Sequence, residues 1–353
     1  MIRIVFIILA SIAVHFVRAQ PVPKQGTLVT EKLSSTILRE NKIGLNTERN
    51  VVIYLPAGYA TSRKSYPVVY LLHGLYNKPA DILSEGNRVT KLIDRGLANG
   101  VVKDFIAVVA DYSNATCGSI YENSPVSGRW LDFTVQELVP FIDSKFRTIK
   151  NRDSRAVVGH FMAGRGALKL GMVHADIFSV VYAMHPVATG TGALPWLSLP
   201  LDWKKLYAAK TLTEMPGGVM PLFVEVCQAA MPNMSRPPFY CDFYMEPDTN
   251  GNPRVNPENI TKAKHTFLLE ETLSESVANL RTLRGLAFDW GRFDGTEAHT
   301  VSARNFSRDL EDLGIDHEAE EYRGDPFNRI LTDDGRFYTR VLPFLNSRLV
   351  FDK

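Results

Sequence analysis

The sequence predicts an α/β fold, with a mostly parallel central sheet and helices on both of its faces. Short segments rich in apolar and β-branched residues alternate with segments of helical periodicity, which is typical of successive β-α-β units. Several short segments are almost continuously apolar, as expected of strands buried on both faces. The predicted strands are residues 50–55, 67–72, 105–110, 156–159, 178–184, 285–289 and 318–322.

Two of the intervening segments carry apolar side chains at helical spacing. Residues 131–142 place an apolar side chain every three or four positions, and Pro140 interrupts that segment. Proline lacks the N–H that a helix interior needs, so a kink is expected there. Residues 303–313 repeat the same spacing, and Gly314 follows as the expected helix end.

The segment of about 190–262 breaks this alternation of strands and helices. It is rich in Pro, Met and Asn and contains Trp196 and Trp203. We interpret it as an insertion over the edge of the sheet that includes cap-like material. Residues 20–353 are therefore predicted to form one domain.

The first 19 residues resemble a secretory signal peptide. Arg3 precedes an apolar run over residues 4–14, and Val17-Arg18-Ala19 resembles a small-residue cleavage site. We expect cleavage after Ala19 and a secreted or periplasmic protein with no stable membrane span. An uncleaved N-terminal anchor is the alternative, because His15 and Arg18 are unusual in a leader.

Composition excludes several classes of protein. With 45% hydrophobic and 22% charged residues, the chain is neither disordered nor a multi-pass membrane protein. The net charge of +2, from 40 basic and 38 acidic residues, gives no basis for nucleic-acid binding. Arg3 and Arg18 would leave with the leader, so the mature chain would carry 38 of each sign.

Three cysteines are too few for a disulfide scaffold. Secretion would permit disulfides, and Cys227 and Cys241, 14 residues apart, are then the pair to expect. Three free buried thiols, with Cys117 as the third, are the alternative.

Residues 156–168 have the frame of a nucleophile elbow. In the G-x-S-x-G pattern, small residues flank the nucleophile because the turn from strand to helix is tight. Here Gly159 and Ala163 hold the two flanking positions, but the central residue is Phe161. A phenyl ring has no nucleophilic atom.

Two further strand ends carry residues typical of the same chemistry. The strand 67–72 ends in His73-Gly74, where such folds place a loop that supplies one backbone donor of an oxyanion hole. Asp294 follows the strand 285–289 and fits the acid of a catalytic triad. The triad histidine should follow the last strand, yet Pro326 stands there, and the last histidine of the chain, His317, precedes that strand.

These segments together resemble the esterase D-like esterase family of α/β-hydrolases. The family includes S-formylglutathione hydrolases, feruloyl and acetyl-xylan esterase domains, enterochelin esterases and mycolyltransferases. The resemblance covers about residues 34–348. Its most specific parts are residues 66–74 (YPVVYLLHG), 123–133 (NSPVSGRWLDF), 137–143 (ELVPFID) and the elbow 159–168.

The resemblance implies a fold and a set of site residues. The usual elbow is Gly-His-Ser-Met-Gly-Gly, so Phe161 replaces the nucleophile and Ala163 replaces a glycine. Gly324-Asp325-Pro326 represents the terminal Gly-Gly-His, and Asp294 matches the acid, here vestigial. The oxyanion-hole donors would be the backbone N–H groups of Leu75 and Met162. A proline in the 137–143 helix is usual in the family, so Pro140 is compatible with that helix.

The residues support two hypotheses about function. The first is a catalytically inactive pseudoesterase. It would bind a small-molecule, acyl-ester or carbohydrate-ester ligand in the cleft that holds substrate in the family, or it would act structurally. The second is an active esterase or acyltransferase with displaced catalytic groups. No cofactor or metal is expected, because the chain has no HExxH or CxxC spacing.

The residues expected at the cleft extend beyond the triad positions. For the second hypothesis, Ser124, Ser127 and Cys117 are the candidate nucleophiles and His185 is the candidate base. A histidine satisfied by backbone at a strand end is the simpler interpretation of His185. The candidates for lining the cleft are His73, Gly74, His160, Trp130, Ser124, Ser127 and His185.

Overall fold

Twelve strands are present in the computed structural model, which describes residues 25–190, 199 and 201–352. The predicted leader and Trp196 lie outside these residues. In chain order the strands are β1 (Thr27–Ser34), β2 (Glu48–Leu55), β3 (Val68–Leu71), β4 (Ile106–Ala110), β5 (Asn123–Ser124), β6 (Gly128–Arg129), β7 (Arg155–His160), β8 (Val180–Met184), β9 (Met245–Pro247), β10 (Pro253–Val255), β11 (Gly285–Gly291) and β12 (Glu318–Tyr322).

Eight of these strands form the central sheet, in the order β1-β2-β4-β3-β7-β8-β11-β12. The pairs β1–β2 and β2–β4 are antiparallel, whereas every other pair in the sheet is parallel. The register aligns His160 with Met184 and Asp289 with Met184, so the carboxyl ends of β7, β8 and β11 lie side by side. Functional residues in such sheets gather at this edge. The predicted fold class is confirmed.

Eleven helices are found among the described residues. They are α1 (Pro79–Ile82), α2 (Arg88–Ala98), α3 (Trp130–Asp132), α4 (Val139–Lys145), α5 (Met162–Val173), α6 (Trp203–Ala208), α7 (Met220–Ala230), α8 (Pro257–Phe267), α9 (Leu273–Leu280), α10 (Glu297–Asp312) and α11 (Leu342–Arg348). None of the described helices is long and apolar enough to cross a membrane.

Two of these helices follow π-helical turns, and each has a proline in its first turn. The turn Phe133–Leu138 joins α3 to α4, in which Pro140 is the second residue. The turn Phe337–Val341 precedes α11 in the same way, with Pro343 second. A π turn widens the backbone locally, which accommodates a residue that lacks an N–H. The helix predicted over 131–142 therefore passes through the position of Pro140.

Helices cover both faces of the sheet. Side chains of α2 and α11, including Ile93 and Leu345, pack on one face. Side chains of α4, α5, α9 and α10, including Ile142, Ala167 and Phe306, pack on the other. Gly314, two residues after the end of α10, has φ +64°, which is the left-handed geometry expected where a helix ends.

The chain between β8 and β11 forms a layer of its own beside the carboxyl edge of the sheet. Residues 201–267 of this segment contain α6, α7, the β9–β10 hairpin and α8, whereas α9 packs on the sheet. A third apolar cluster fills the interior of this layer and extends to Ile120 and Met162 in the body of the fold. This layer, residues 201–267, is called the cap below, and it forms one wall of the candidate site.

Candidate active site

The turn between β7 and α5 has the geometry of a nucleophile elbow. Phe161 lies between the last residue of β7 and the first residue of α5, with φ 59° and ψ −118°. Two backbone bonds hold it there, from Phe161 N–H to Met184 O and from Arg165 N–H to Phe161 O, both 3.0 Å. A Cβ on Gly159 would lie 2.0 Å from Ala163 O, so this position admits only glycine.

The phenyl ring of Phe161 lies where histidines converge. It stacks on the His185 ring, with centroids 5.9 Å apart, and meets the His299 ring edge-on at 5.4 Å. On its other side the exposed Phe327 ring lies 5.5 Å away. The apex of the elbow is thus occupied by an aromatic side chain in contact with the imidazoles of His160, His185 and His299.

Asp294 holds these two histidines together. Its Oδ2 accepts a hydrogen bond from His185 Nε2 and another from His299 Nδ1, both 2.8 Å long. Its Oδ1 accepts from Thr296 N–H at 2.8 Å. Burial alone would raise the pKa of the carboxyl, but these donors outweigh it and hold the pKa below its ordinary value. Asp294 is therefore a carboxylate at neutral pH.

Both ring nitrogens of His185 form hydrogen bonds within the protein. The Gly291 N–H donates to His185 Nδ1 at 2.9 Å, so the proton of the neutral ring is on Nε2, which donates to Asp294. Burial lowers the pKa of His185, against the opposing effect of Asp294. Its side chain is fully buried, and no serine or cysteine among the described residues bonds to it. His185 is thus a supporting residue and cannot act as a base in this arrangement.

His299 has the opposite arrangement. It lies in the first turn of α10, five residues after Asp294, and donates from Nδ1 to that carboxylate. Its Nε2 has no hydrogen-bond partner among the described residues, and the ring lines the cleft. An Asp–His pair joined through Nδ1, with Nε2 open, is the tautomer of a general base.

The loop after β12 holds Pro326, where the family places its histidine. His160 Nε2 donates to the carbonyl of Pro326 at 2.7 Å, which ties this loop to the elbow. Burial is the main cause that lowers the pKa of His160 to about 4, so this ring is neutral. The next residue, Phe327, projects its ring onto Phe161 and His160. An aromatic side chain of this loop therefore lies beside position 161.

Leu75 and Met162 both line the cleft next to Phe161. Met162 is the first residue of α5, so its N–H has no acceptor within the helix. No acceptor for the N–H of Leu75 occurs among the described residues. Two free backbone donors at these positions are what an oxyanion hole requires.

A cleft of about 440 Å³ opens between the elbow and the cap. Most of its walls are apolar, from Leu199, Leu222, Phe223 and Leu268 of the segment after β8 and from Val187. Thr296, His299 and Ser302 supply polar groups on one side. The volume lies within the range of ligand sites, roughly 300–1,000 Å³. Tyr76 and Val219, both exposed, lie at its mouth.

None of the seven residues expected to line the cleft forms its walls, although His160 and His185 contact Phe161, which does. His73 is buried, accepts from Tyr112 N–H through Nε2 and donates from Nδ1 to Gly74 O, so it links the ends of β3 and β4. Ser124 is buried and bonds to Gln228 O of α7, and Ser127 is buried beside it. Trp130 packs against Tyr112 in the core, and its indole N–H donates to Ser127 O.

The positions of Ser124, Ser127 and Trp130 have a common physical reason. The 123–133 segment turns inward beneath the cap. Its polar groups therefore form hydrogen bonds within the protein, which hold the loop, and do not face a ligand. Gly74 lies at the bend after β3, and an added Cβ there would come within 3.1 Å of the Asn77 side chain.

The cysteines offer no nucleophile at the cleft. Cys117, Cys227 and Cys241 are buried free thiols, which is the second of the two arrangements considered for them. Burial is the main cause that raises the pKa of each thiol. Neutral thiols away from the cleft are inert.

The donor set does not fit a metal ion either. Among the described residues, His185, Asp294 and His299 form the one group with ligand atoms within 4.8 Å of one another. However, His185 Nε2 carries a proton, because Nδ1 accepts from Gly291 N–H. That nitrogen has no free lone pair for a cation, and the cluster is better described as two imidazoles bonded to one carboxylate.

Two residues of the site, His299 and Phe327, were not predicted from the sequence. The expected chain order placed the histidine after the last strand, so a histidine on the preceding helix was not considered. A usable signal exists, since His299 follows Asp294 by five residues, across the boundary between a strand and a helix. A carboxylate a few residues before a helix can bond to a side chain in the first turn of that helix.

Comparison with known proteins identifies the family of the chain. The model of the family described as "Putative esterase" matches residues 43–282, which is more than half of the chain. An esterase of Mycobacterium tuberculosis is 38% identical over 128 residues, which are 36% of this chain and 26% of that protein. The chain thus matches about a quarter of the length of that relative.

Solved structures show the same fold. A ferulic acid esterase superposes with a TM-score of 0.61 at 21% identity, over 92% of this chain and 99% of the other. An S-formylglutathione hydrolase from Agrobacterium tumefaciens gives 0.55 at 14% identity, over 94% and 99%. Similarity at this level of identity concerns the fold alone. With its matching family model and its α/β-hydrolase architecture, the chain belongs to the family described as "Putative esterase".

Proposed function

We propose that this member of the family does not hydrolyse esters and instead binds a small ligand with an apolar body in the cleft beside Phe161. One observation carries the proposal: the apex of a fully formed elbow holds a phenyl ring rather than a hydroxyl. The ligand class includes acyl esters and aromatic or carbohydrate esters, which the fold is suited to bind.

Loss of the nucleophile should abolish turnover. Removing a member of a catalytic triad costs about 10⁴- to 10⁶-fold in rate, and the oxyanion hole and substrate binding account for the activity that remains. Here the ring of Phe161 also occupies the space beside His299, where the reacting carbonyl would lie. A substrate would therefore meet neither an attacking atom nor room for the tetrahedral intermediate.

An active hydrolase with displaced groups is the second candidate function. Its candidate nucleophiles, Ser124, Ser127 and Cys117, are all buried. Its candidate base, His185, bonds to Gly291 and Asp294. No hydroxyl or thiol among the described residues bonds to either imidazole that Asp294 holds. The geometry therefore favours the non-hydrolytic function.

Export forms part of the proposal. Its support is the apolar run after Arg3 and the Val17-Arg18-Ala19 sequence, which together resemble a cleavable leader. The proposed mature protein begins at Gln20.

The absence of turnover is tested on the purified mature protein with 4-nitrophenyl acetate and butyrate. We expect release of nitrophenol no faster than in buffer, and no covalent labelling by a fluorophosphonate probe. Turnover that a serine-directed inhibitor abolishes would contradict the proposal. Such a result would point to a hydroxyl nucleophile that the geometry does not reveal.

Binding in the cleft is tested by the fluorescence of anilinonaphthalene sulfonate and its displacement by 4-nitrophenyl butyrate. Val219→Arg places a charge at the apolar mouth, and we expect at least tenfold weaker displacement because burying that charge is unfavourable. Met234→Arg is the matched control, since Met234 is similarly exposed (47% against 42%) and lies outside the cleft. Equal effects of the two substitutions would show that the ester does not bind in the cleft.

A further inference from the structure

We infer that the cleft retains a complete acid–base pair, formed by Asp294 and His299, so that residue 161 alone separates this chain from a hydrolase. The inference rests on the proposed function, because it takes position 161 as that of the missing nucleophile. It departs from the expectation that the triad histidine follows the last strand, at the position of Pro326.

The pair has the three properties of a working base. Asp294 is a carboxylate held by Thr296 N–H and by two imidazoles. His299 donates Nδ1–H to it at 2.8 Å, which fixes the ring and leaves the lone pair on Nε2. The His299 side chain is 24% exposed, so its open nitrogen has access to the cleft that the ring lines.

The other histidines near the elbow cannot take this role. His185 uses both ring nitrogens, as described above. His160 donates from Nε2 to Pro326 O, and no carboxylate among the described residues pairs with it. Burial also lowers the pKa of His160 to about 4, which makes the ring a poor proton acceptor. His299 is therefore the histidine whose bonding matches that of a base.

His299 is also next to the required position. Its ring meets the Phe161 ring at 89°, with centroids 5.4 Å apart, so no other side chain lies between the two rings. Replacing the phenyl by a hydroxymethyl group would open the space between the elbow and His299. The carbonyl of Pro326 accepts a hydrogen bond from His160 instead. In this chain the base has moved from the loop after the last strand to the first turn of the preceding helix.

The chemistry expected of a Phe161→Ser variant is ordinary acyl transfer. The serine oxygen would form a bond to the acyl carbon while its proton passes to His299 Nε2. The bond from the acyl carbon to the alcohol oxygen then breaks, and the alcohol leaves with that proton. Water repeats the two steps on the acyl-serine and releases the acid. The N–H groups of Leu75 and Met162 would stabilise the oxyanion.

The experiment compares Phe161→Ser, Phe161→Ser with His299→Ala, and Phe161→Ser with Pro326→His, after circular dichroism shows that each is folded. The measurements are labelling by a fluorophosphonate and turnover of 4-nitrophenyl acetate. We expect Phe161→Ser alone to exceed the wild type by at least tenfold in both. Adding His299→Ala should remove at least nine-tenths of that gain.

A chemical rescue separates a base from a structural residue. Free imidazole should restore turnover in the variant that lacks His299, because the small molecule can occupy the vacated position and accept the proton. It should leave turnover by Phe161→Ser unchanged after the uncatalysed imidazole rate is subtracted. A purely structural loss at position 299 would not respond to imidazole.

Three outcomes would overturn the inference. They are a folded Phe161→Ser variant that is inert, full activity in the variant that lacks His299, and activity that appears only when Pro326→His is added. These are distinct from failure of the proposed function, which is measured as ester turnover by the wild-type chain.

Discussion

Phe161 occupies a backbone conformation that a side-chain-bearing residue adopts only under constraint. Its φ of 59° with ψ −118° costs on the order of 1–3 kcal/mol, which the surrounding structure must offset. The bond from its N–H to Met184 O and the start of α5 supply part of that constraint. The elbow has therefore kept its strained shape without a nucleophile to present.

Gly159 is the residue on which this shape depends most. We predict that Gly159→Ala lowers the free energy of unfolding by about 3 kcal/mol, because its Cβ would lie 2.0 Å from the backbone oxygen of Ala163. That oxygen belongs to the first turn of α5 and cannot move without unwinding the turn. Urea denaturation followed by circular dichroism measures the change.

The control for this substitution is Gly58→Ala. Gly58 is exposed, and nothing lies within 4 Å of the position of its added Cβ. Its unfolding free energy should change by no more than about 1 kcal/mol, since alanine there only restricts the unfolded chain. Similar decreases in the free energy of unfolding of the two variants would mean that the turn can rearrange to accommodate a methyl group.

Some residues of the site could be predicted from the sequence and others could not. Phe161 was placed correctly at a turn because the small residues around it, Gly159 above all, are imposed by local sterics. His299 was missed because its role depends on the path of residues 291–296, which brings Asp294 back over the start of α10. Trp130 was misplaced because an aromatic residue looks the same in a sequence whether it lines a cleft or fills a core.

At the scale of elements, Glu225 anchors the cap to the body of the fold. It is buried in α7 and accepts hydrogen bonds from Asn114 Nδ2, at 2.6 Å, from Thr116 Oγ1 and from the Ser127 side chain. Burial is the main cause that raises the pKa of this carboxyl to about 7, against the effect of those donors. Helix α7, which forms one wall of the cleft, is therefore held in place by hydrogen bonds to a carboxyl group that titrates near neutrality.

The buried Glu225 carboxyl should make the free energy of unfolding depend on pH. Because the pKa is raised in the folded state, the contribution of Glu225 is most favourable below the unfolded value of about 4.5 and is lost as pH rises toward 7. Glu225→Gln does not titrate, so it should equal the wild type in stability near pH 5 and exceed it by about 1–3 kcal/mol at pH 8. Urea denaturation at the two pH values measures this.

The matching control is Glu271→Gln at an exposed position. Its unfolding free energy should stay within about 0.5 kcal/mol of the wild type at both pH values. A Glu225→Gln variant that is destabilised at pH 8 would mean that the ionised carboxylate is required by Asn114 and Thr116.

How well each element could be predicted depends on its burial. Strands β3, β4 and β8 are buried along their whole length, and their continuous apolar sequences gave their positions. Strand β1 lies at the sheet edge and is mostly exposed or half-buried, and it is absent from the predicted strands. The short β9–β10 hairpin was missed because its residues contain no alternating apolar pattern.

At the scale of the whole molecule, the cap shares its interior with the sheet. Its apolar cluster includes Ile120 and Met162 from the body of the fold. Arg165 of α5, with no exposed surface, donates to Ile120 O, Thr266 O and Phe267 O and pairs with Glu122. One buried guanidinium therefore joins the elbow helix, the loop before β5 and the last turn of α8.

These connections predict that cap and sheet unfold together. Calorimetry of the wild type should give one transition whose calorimetric and van't Hoff enthalpies agree. Arg165→Met should lower the unfolding free energy by about 3–5 kcal/mol, because three carbonyls lose their buried donor and Glu122 is left paired with Lys169 alone. Arg281→Met is the control, since the Arg281 side chain is exposed and donates to Leu313 O, and it should cost about 1 kcal/mol or less.

Hydrogen exchange of Arg165→Met distinguishes a shared unfolding from an independent cap. If the molecule is one cooperative unit, peptides of α7 in the cap and of β7 in the sheet should lose protection by the same free energy. Faster exchange in α7 with β7 unchanged would show that the cap opens alone. In that case the wall of the cleft would be a separate unit, and ligand binding would have to include the free energy of closing it.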